Sequence, residues 1–109
     1  MRPVRVTVGS VAKSATIPVN VALGVVNIGI GCTLSTGGSA TYSVEHTYDD
    51  VFDPAFNATT AKWFTHSTLS AKTASADGAY VNPITACRLN VTAWTSGTVT
   101  MTVIQAGIE

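Results

Sequence analysis

The residues of this chain that could do chemistry are few. His46 and His66 are its only histidines, and Asp49, Asp50 and Asp53 form its densest acidic cluster, a few residues after Glu45. A zinc centre needs three or four converging ligands. Glu45 and His46 are neighbours on an alternating segment, so as strand residues they point to opposite faces and cannot chelate together. His46 is expected to be a hydrogen-bonded structural histidine near a strand end. The acidic cluster lacks the Asp-rich loop ending in Glu that marks a calcium hand. Before Pro54 it reads as Asx-turn chemistry, with Asp side chains holding backbone amides. Its carboxylates are too close in sequence to form the pair of a glycosidase. No serine sits in a Gly-x-Ser-x-Gly elbow. Gly29-Ile30-Gly31 is a fragment of a dinucleotide loop with no helix to follow it. Asn57-Ala58-Thr59 and Asn90-Val91-Thr92 match the glycosylation sequon and are read as chance. We therefore expect no enzyme, no cofactor and no bound metal.

Cys32 and Cys87 have no CxxC spacing and are too few for a disulfide framework. Both fall on apolar strand positions. They are expected as buried free thiols, with a mutual disulfide as the alternative.

The elements that must carry these residues read as strands. Val4, Val6 and Val8 alternate in a first strand. A second spans about 15–23, with Ile17, Val19, Val21 and Leu23 on one face. Pro18 cannot donate to a ladder, which puts that strand at a sheet edge. At Gly24 the apolar parity slips to Val26, Ile28 and Ile30, as at a bulge or turn. Thr36-Gly37-Gly38-Ser39 reads as a hairpin turn into a strand in which Tyr42, Val44, His46 and Tyr48 share a face. An irregular stretch, 49–61, precedes a short strand at 62–65. Asp77-Gly78 is a second hairpin signal. In the last segment Leu89, Val91 and Ala93 alternate, then Val99, Met101 and Val103, across a Ser96-Gly97 turn. That pattern predicts a terminal antiparallel hairpin. About eight short strands with no convincing helix make an all-β protein, an antiparallel β-sandwich of jelly-roll type, in one domain over 1–109.

Composition narrows the function classes. Hydrophobic residues make up 46% and charged residues 11%, against roughly 25% charged in ordinary globular chains. Thr, Ser and Asn fill the polar positions instead. Formal net charge is +0, without the basic surplus of a nucleic-acid binder. No apolar run has the length of a membrane helix. The start of the chain lacks the apolar block of a signal peptide, so the protein is expected to be made in a cytoplasm, and kept there or released by lysis. A weakly charged, neutral chain tends to associate, which suggests a surface partly covered by partner subunits.

Several segments together resemble a family of short structural proteins of tailed bacteriophages. They are Thr41–Asp50 (TYSVEHTYDD), Lys62–His66 (KWFTH), Ala76–Tyr80 (ADGAY), Arg88–Ala93 (RLNVTA) and Thr98–Gln105 (TVTMTVIQ), with MRPV at the start. The resemblance covers about the last two-thirds of the chain. It implies a virion part. The first expectation is a cement or decoration protein, assembled in the host cytoplasm and seated on the capsid surface. It would bind the major capsid protein as a dimer or trimer, with no nucleic-acid or membrane partner. The expected contact residues are Val4, Val6, Pro18, Asp49, Asp50, Phe52, Asp53, Phe56 and Trp63. The alternatives are a head-fibre or tail protein that binds a receptor or glycan through Trp63 or Trp94, and a jelly-roll glycosidase.

Overall fold

The computed structural model describes residues 3–19 and 27–105. They form eight strands: β1 (Val4–Val8), β2 (Ile17–Pro18), β3 (Ile28–Leu34), β4 (Ser39–Thr47), β5 (Trp63–Thr65), β6 (Ala76–Tyr80), β7 (Ala86–Ser96) and β8 (Val99–Gln105). Two antiparallel four-stranded sheets result, ordered β1-β8-β3-β6 and β2-β7-β4-β5. This is the all-β sandwich that the alternation predicts.

The pairing has a simple logic. β1 lies against β8, β2 against β7, β3 against β6 and β4 against β5. These are the rungs of one long antiparallel ribbon, in which the first four strands run against the last four. The ribbon is rolled so that β3 also pairs with β8 and β4 with β7. Alternate side chains then face a single core. Ile28, Ile30, Cys32, Met101 and Val103 come from one sheet, and Tyr42, Val44, Cys87, Leu89 and Val91 from the other. Both cysteines are free and buried.

Three expected turns are corrected by this arrangement. The segment 88–105 is not a hairpin, because β7 and β8 belong to different sheets. Leu89 and Val91 are buried as expected, and so are Val99, Met101 and Val103, but the two sets lie in opposite sheets. Alternation reveals which side chains are apolar-facing and leaves open whether two such strands pair edge to edge or stack face to face. Ala93 is exposed, beyond a register shift opposite Thr41/Tyr42. The turn at Thr36–Ser39 likewise carries the chain from β3 to β4 across the sandwich. These two crossovers bind each other. Ser35 N donates to Thr98 O at 3.0 Å, Thr98 N to Ser35 Oγ at 3.0 Å and Ser96 Oγ to Gly37 O at 3.3 Å. Gly37 and Gly97 supply the positive φ values, 75° and 80°.

Asp77-Gly78 is no turn either. It lies inside β6, with Gly78 paired to Ile30. A Cβ at Gly78 would come within 3.1 Å of Leu69 Cδ1 and 3.3 Å of His66 Cε1, so glycine is there to admit the chain that passes beneath. Pro18 does lie at a sheet edge, as its missing donor predicts, though the strand around it is only Ile17–Pro18. The expected continuation through Val21 and Leu23, the slip at Gly24 and the position of Val26 fall outside the described residues.

Candidate functional site

The connection from β4 to β5 is built from side chains that replace missing sheet partners. Thr47 Oγ1 donates to Lys62 O at 2.8 Å, and Asp49 Oδ2 accepts from Lys62 N at 2.9 Å, which closes the base of the loop. Within it Asp50 Oδ1 accepts from Phe52 N at 3.0 Å and Asp53 Oδ1 from Ala55 N at 2.9 Å. Asn57 Oδ1 repeats the motif with Thr59 N at 2.9 Å. The turns at Asp50 and Asp53 are the Asx turns expected from the sequence. The three aspartates border a cleft of about 290 Å³ with Phe56 and Asn57. No three His, Cys, Asp or Glu side chains converge as metal ligands among the described residues. The turns present Phe52 to solvent at 77% exposure.

A latch fixes this loop to the sheet. Arg88, on β7, places its guanidinium carbon 3.9 Å from the Trp63 ring centroid. Its Nε donates to Glu45 Oε1 at 2.8 Å, and both side chains of that ion pair are largely buried. Arg88 Nη1 and Trp63 Nε1 both donate to Ala58 O, at 3.4 Å and 2.9 Å. Removing one member of a buried, hydrogen-bonded ion pair costs about 3–5 kcal/mol, so Trp63 and Arg88 anchor the loop firmly. One face of Trp63 is thereby occupied. Trp94 is more exposed, and its Nε1 donates to Gly97 O at 2.8 Å beside the crossover.

The nine expected contact residues do not form one surface. Val4 and Val6 are half-buried on β1, an edge of one sheet, and Pro18 is exposed on β2, an edge of the other. Asp49, Asp50, Phe52, Asp53, Phe56 and Trp63 gather around β5, which is the opposite edge of the sheet that holds β2.

Beside that loop the fold assembles an aromatic cluster that sequence reasoning missed. His46 on β4 pairs across the ladder with Phe64 on β5, and their rings stack at 6.0 Å. Tyr48 meets Phe64 at 5.6 Å and His46 at 5.5 Å. Tyr80, from the other sheet, lies edge-on to His46 at 4.9 Å and to His66 at 4.7 Å. The shared parity of His46 and Tyr48 was visible in the sequence. The approach of Tyr80, Val81 and Asn82 was not, because it depends on β6 lying over β5.

The hydrogen bonds settle which imidazole nitrogen of His66 carries its proton. His66 Nδ1 lies 3.1 Å and 3.2 Å from the backbone N–H groups of Thr68 and Leu69 and accepts from both. Its Nε2–H therefore donates to Ala79 O at 2.8 Å. Tyr80 Oη lies 2.8 Å from His46 Nδ1. Burial pushes the Tyr80 phenol well above its usual range, so it keeps its proton, and its hydroxyl can donate to that nitrogen or accept from it. His46 Nε2 is then donor or acceptor according to the tautomer. Burial, and then the neighbouring His66, hold the His46 imidazole below its ordinary pKa. No buried side-chain nitrogen or oxygen lacks a partner among the described residues. His46 Nε2 has none, so it must reach solvent.

Compared with known proteins, the chain matches no family model, no curated protein and no solved structure.

Proposed function

We propose that this chain is a structural protein of a tailed-bacteriophage virion. In this reading it is a cement or decoration protein on the outer surface of the head. As a dimer or trimer it binds the major capsid protein and clamps adjacent subunits of the shell. The observation that carries the reading is an exposed aromatic side chain, Phe52, on a firmly anchored loop. Phe52 is 77% exposed, on a loop that Asx turns and the Arg88–Trp63 latch hold to the sheet. Exposed aromatic side chains on a rigid frame are suited to anchor a protein contact. The ribbon-like strand pairing supports a jelly-roll reading of the sandwich, an architecture that recurs in viral capsid and lectin domains. The scarcity of charge fits as well, since desolvating charges at an interface is costly. The resemblance of the segments between Thr41 and Gln105 to phage structural proteins supplies the virion context.

Cosedimentation of the purified chain with mature phage heads tests the reading. The expected outcome is saturable binding to assembled heads and none to dissociated capsid subunits, with Phe52→Ser weakening it about tenfold or more. Failure to bind heads, or equal binding by Phe52→Ser, contradicts it.

A further inference from the structure

We propose that the cleft between β5 and β6 is a binding site for a neutral sugar. The inference does not rest on the virion reading. The cleft measures about 300 Å³, at the small end of ligand sites and suited to about one sugar ring with its substituents. Eight described residues line it, among them His46, Thr65, Ser67, Val81 and Asn82, and none of these eight is Asp, Glu, Lys or Arg. With His46 neutral, the site offers no counter-charge. A phosphate, carboxylate or ammonium group would lose its hydration there without compensation.

An apolar ligand is disfavoured for the opposite reason. It would cover polar groups that need partners. His46 Nε2, a donor or an acceptor according to the tautomer, has no partner among the described residues. The Asn82 amide nitrogen donates to Tyr48 Oη at 3.3 Å, which leaves its carbonyl oxygen as an acceptor. The hydroxyls of Thr65 and Ser67 can act either way. A set of mixed donors and acceptors without charge suits ligand hydroxyls, each of which both donates and accepts. Against His46, a residue of the lining, Tyr48 and Phe64 stand about half exposed, with ring centroids 5.6 Å apart and planes tilted by 58°. Such ring faces cover the C–H patches of a sugar, while the polar groups beside them bind its hydroxyls. The tie of Tyr80 to His46 and of Asn82 to Tyr48 holds this set in place before a ligand arrives, so little ordering is required on binding.

The test is an NMR titration of the intact chain, observing the imidazole C–H resonances of His46 and His66. The probes are the methyl glycosides of glucose, galactose, mannose, rhamnose and N-acetylglucosamine, up to about 10 mM, ten times a Kd of about 1 mM. At least one should shift His46 saturably. His66, whose ring nitrogens are both bonded internally, should move less. Asn82→Ala and Phe64→Ala should each weaken binding about tenfold or more with an unchanged circular-dichroism spectrum, and Trp94→Ala should leave it intact. Asn82 is exposed, so that variant does not put the fold at stake. Absence of a saturable shift with every neutral glycoside overturns the proposal, as does wild-type binding by Asn82→Ala. Binding confined to sialylated or sulfated sugars overturns its neutral character.

Discussion

His46 and His66 meet the same Tyr80 ring, yet their neighbours give them different roles. His66 is fixed through both ring nitrogens and holds the 66–69 turn against β6. His46 spends one nitrogen on Tyr80 and turns the other to the cleft. Its depressed pKa has a consequence for stability. An unfolded chain takes up a proton on this residue near pH 6.5, and the folded protein does so only at lower pH. Between those two values the unfolded state binds more protons. Stability attributable to His46 is therefore complete above about pH 6.5, falls as the pH drops through that window, and levels off below the folded-state pKa. Thermal unfolding followed between about pH 7.5 and 5 should show a falling Tm, with a shallower slope in His46→Gln. An equal slope in the variant contradicts this assignment. The cysteines show the same physics with opposite sign. Burial raises both thiols to about 12, so each stays protonated and unreactive. Their apolar strand positions made that burial legible in the sequence.

Elements were legible where the signal is local. The Asx turns at Asp50 and Asp53 reach two residues along the chain, and Pro18 marks its edge by its own missing donor. Pairing is not local, and there the sequence signal ran out. Ser-Gly between two alternating segments suits a hairpin and suits equally a crossover between stacked sheets. What separates them is the Ser35–Gly38 turn, which receives the Ser96–Thr98 turn in hydrogen bonds more than 50 residues away in sequence. Gly97 is the tight point of that contact. An added Cβ would sit 2.7 Å from Gly38 Cα and collide with Ser35 Oγ, at a φ of 80°. Strain at such a position costs about 1–3 kcal/mol before the collision is counted. Gly97→Ala should therefore lose about 2 kcal/mol or more in urea unfolding. Gly31→Ala, whose Cβ would meet nothing within 4 Å, should lose much less. Equal stability of the two variants contradicts the role given to the crossover. The aromatic cleft was hidden for the same reason, since Tyr80 and Asn82 each lie 34 residues from the side chains they bond.

At the scale of the molecule, the rolled ribbon gives the sandwich two edges. One edge of the sandwich carries β1 and β2, with half-buried Val4 and Val6, exposed Pro18 and, between the two strands, exposed Val11. The other carries β5 and β6, where Phe52, Phe64, Tyr48 and Val81 are exposed. A shell-binding protein must present such a surface many times over, because a closed symmetric shell repeats each contact. The most direct measurement is the copy number of this chain in purified virions, by quantitative mass spectrometry against the major capsid protein. The cement reading predicts copies on the order of hundreds per head, in fixed ratio to the shell subunits. A few to a few dozen copies would assign the protein to tail, portal or fibres, and its absence from the particle would contradict the virion reading outright.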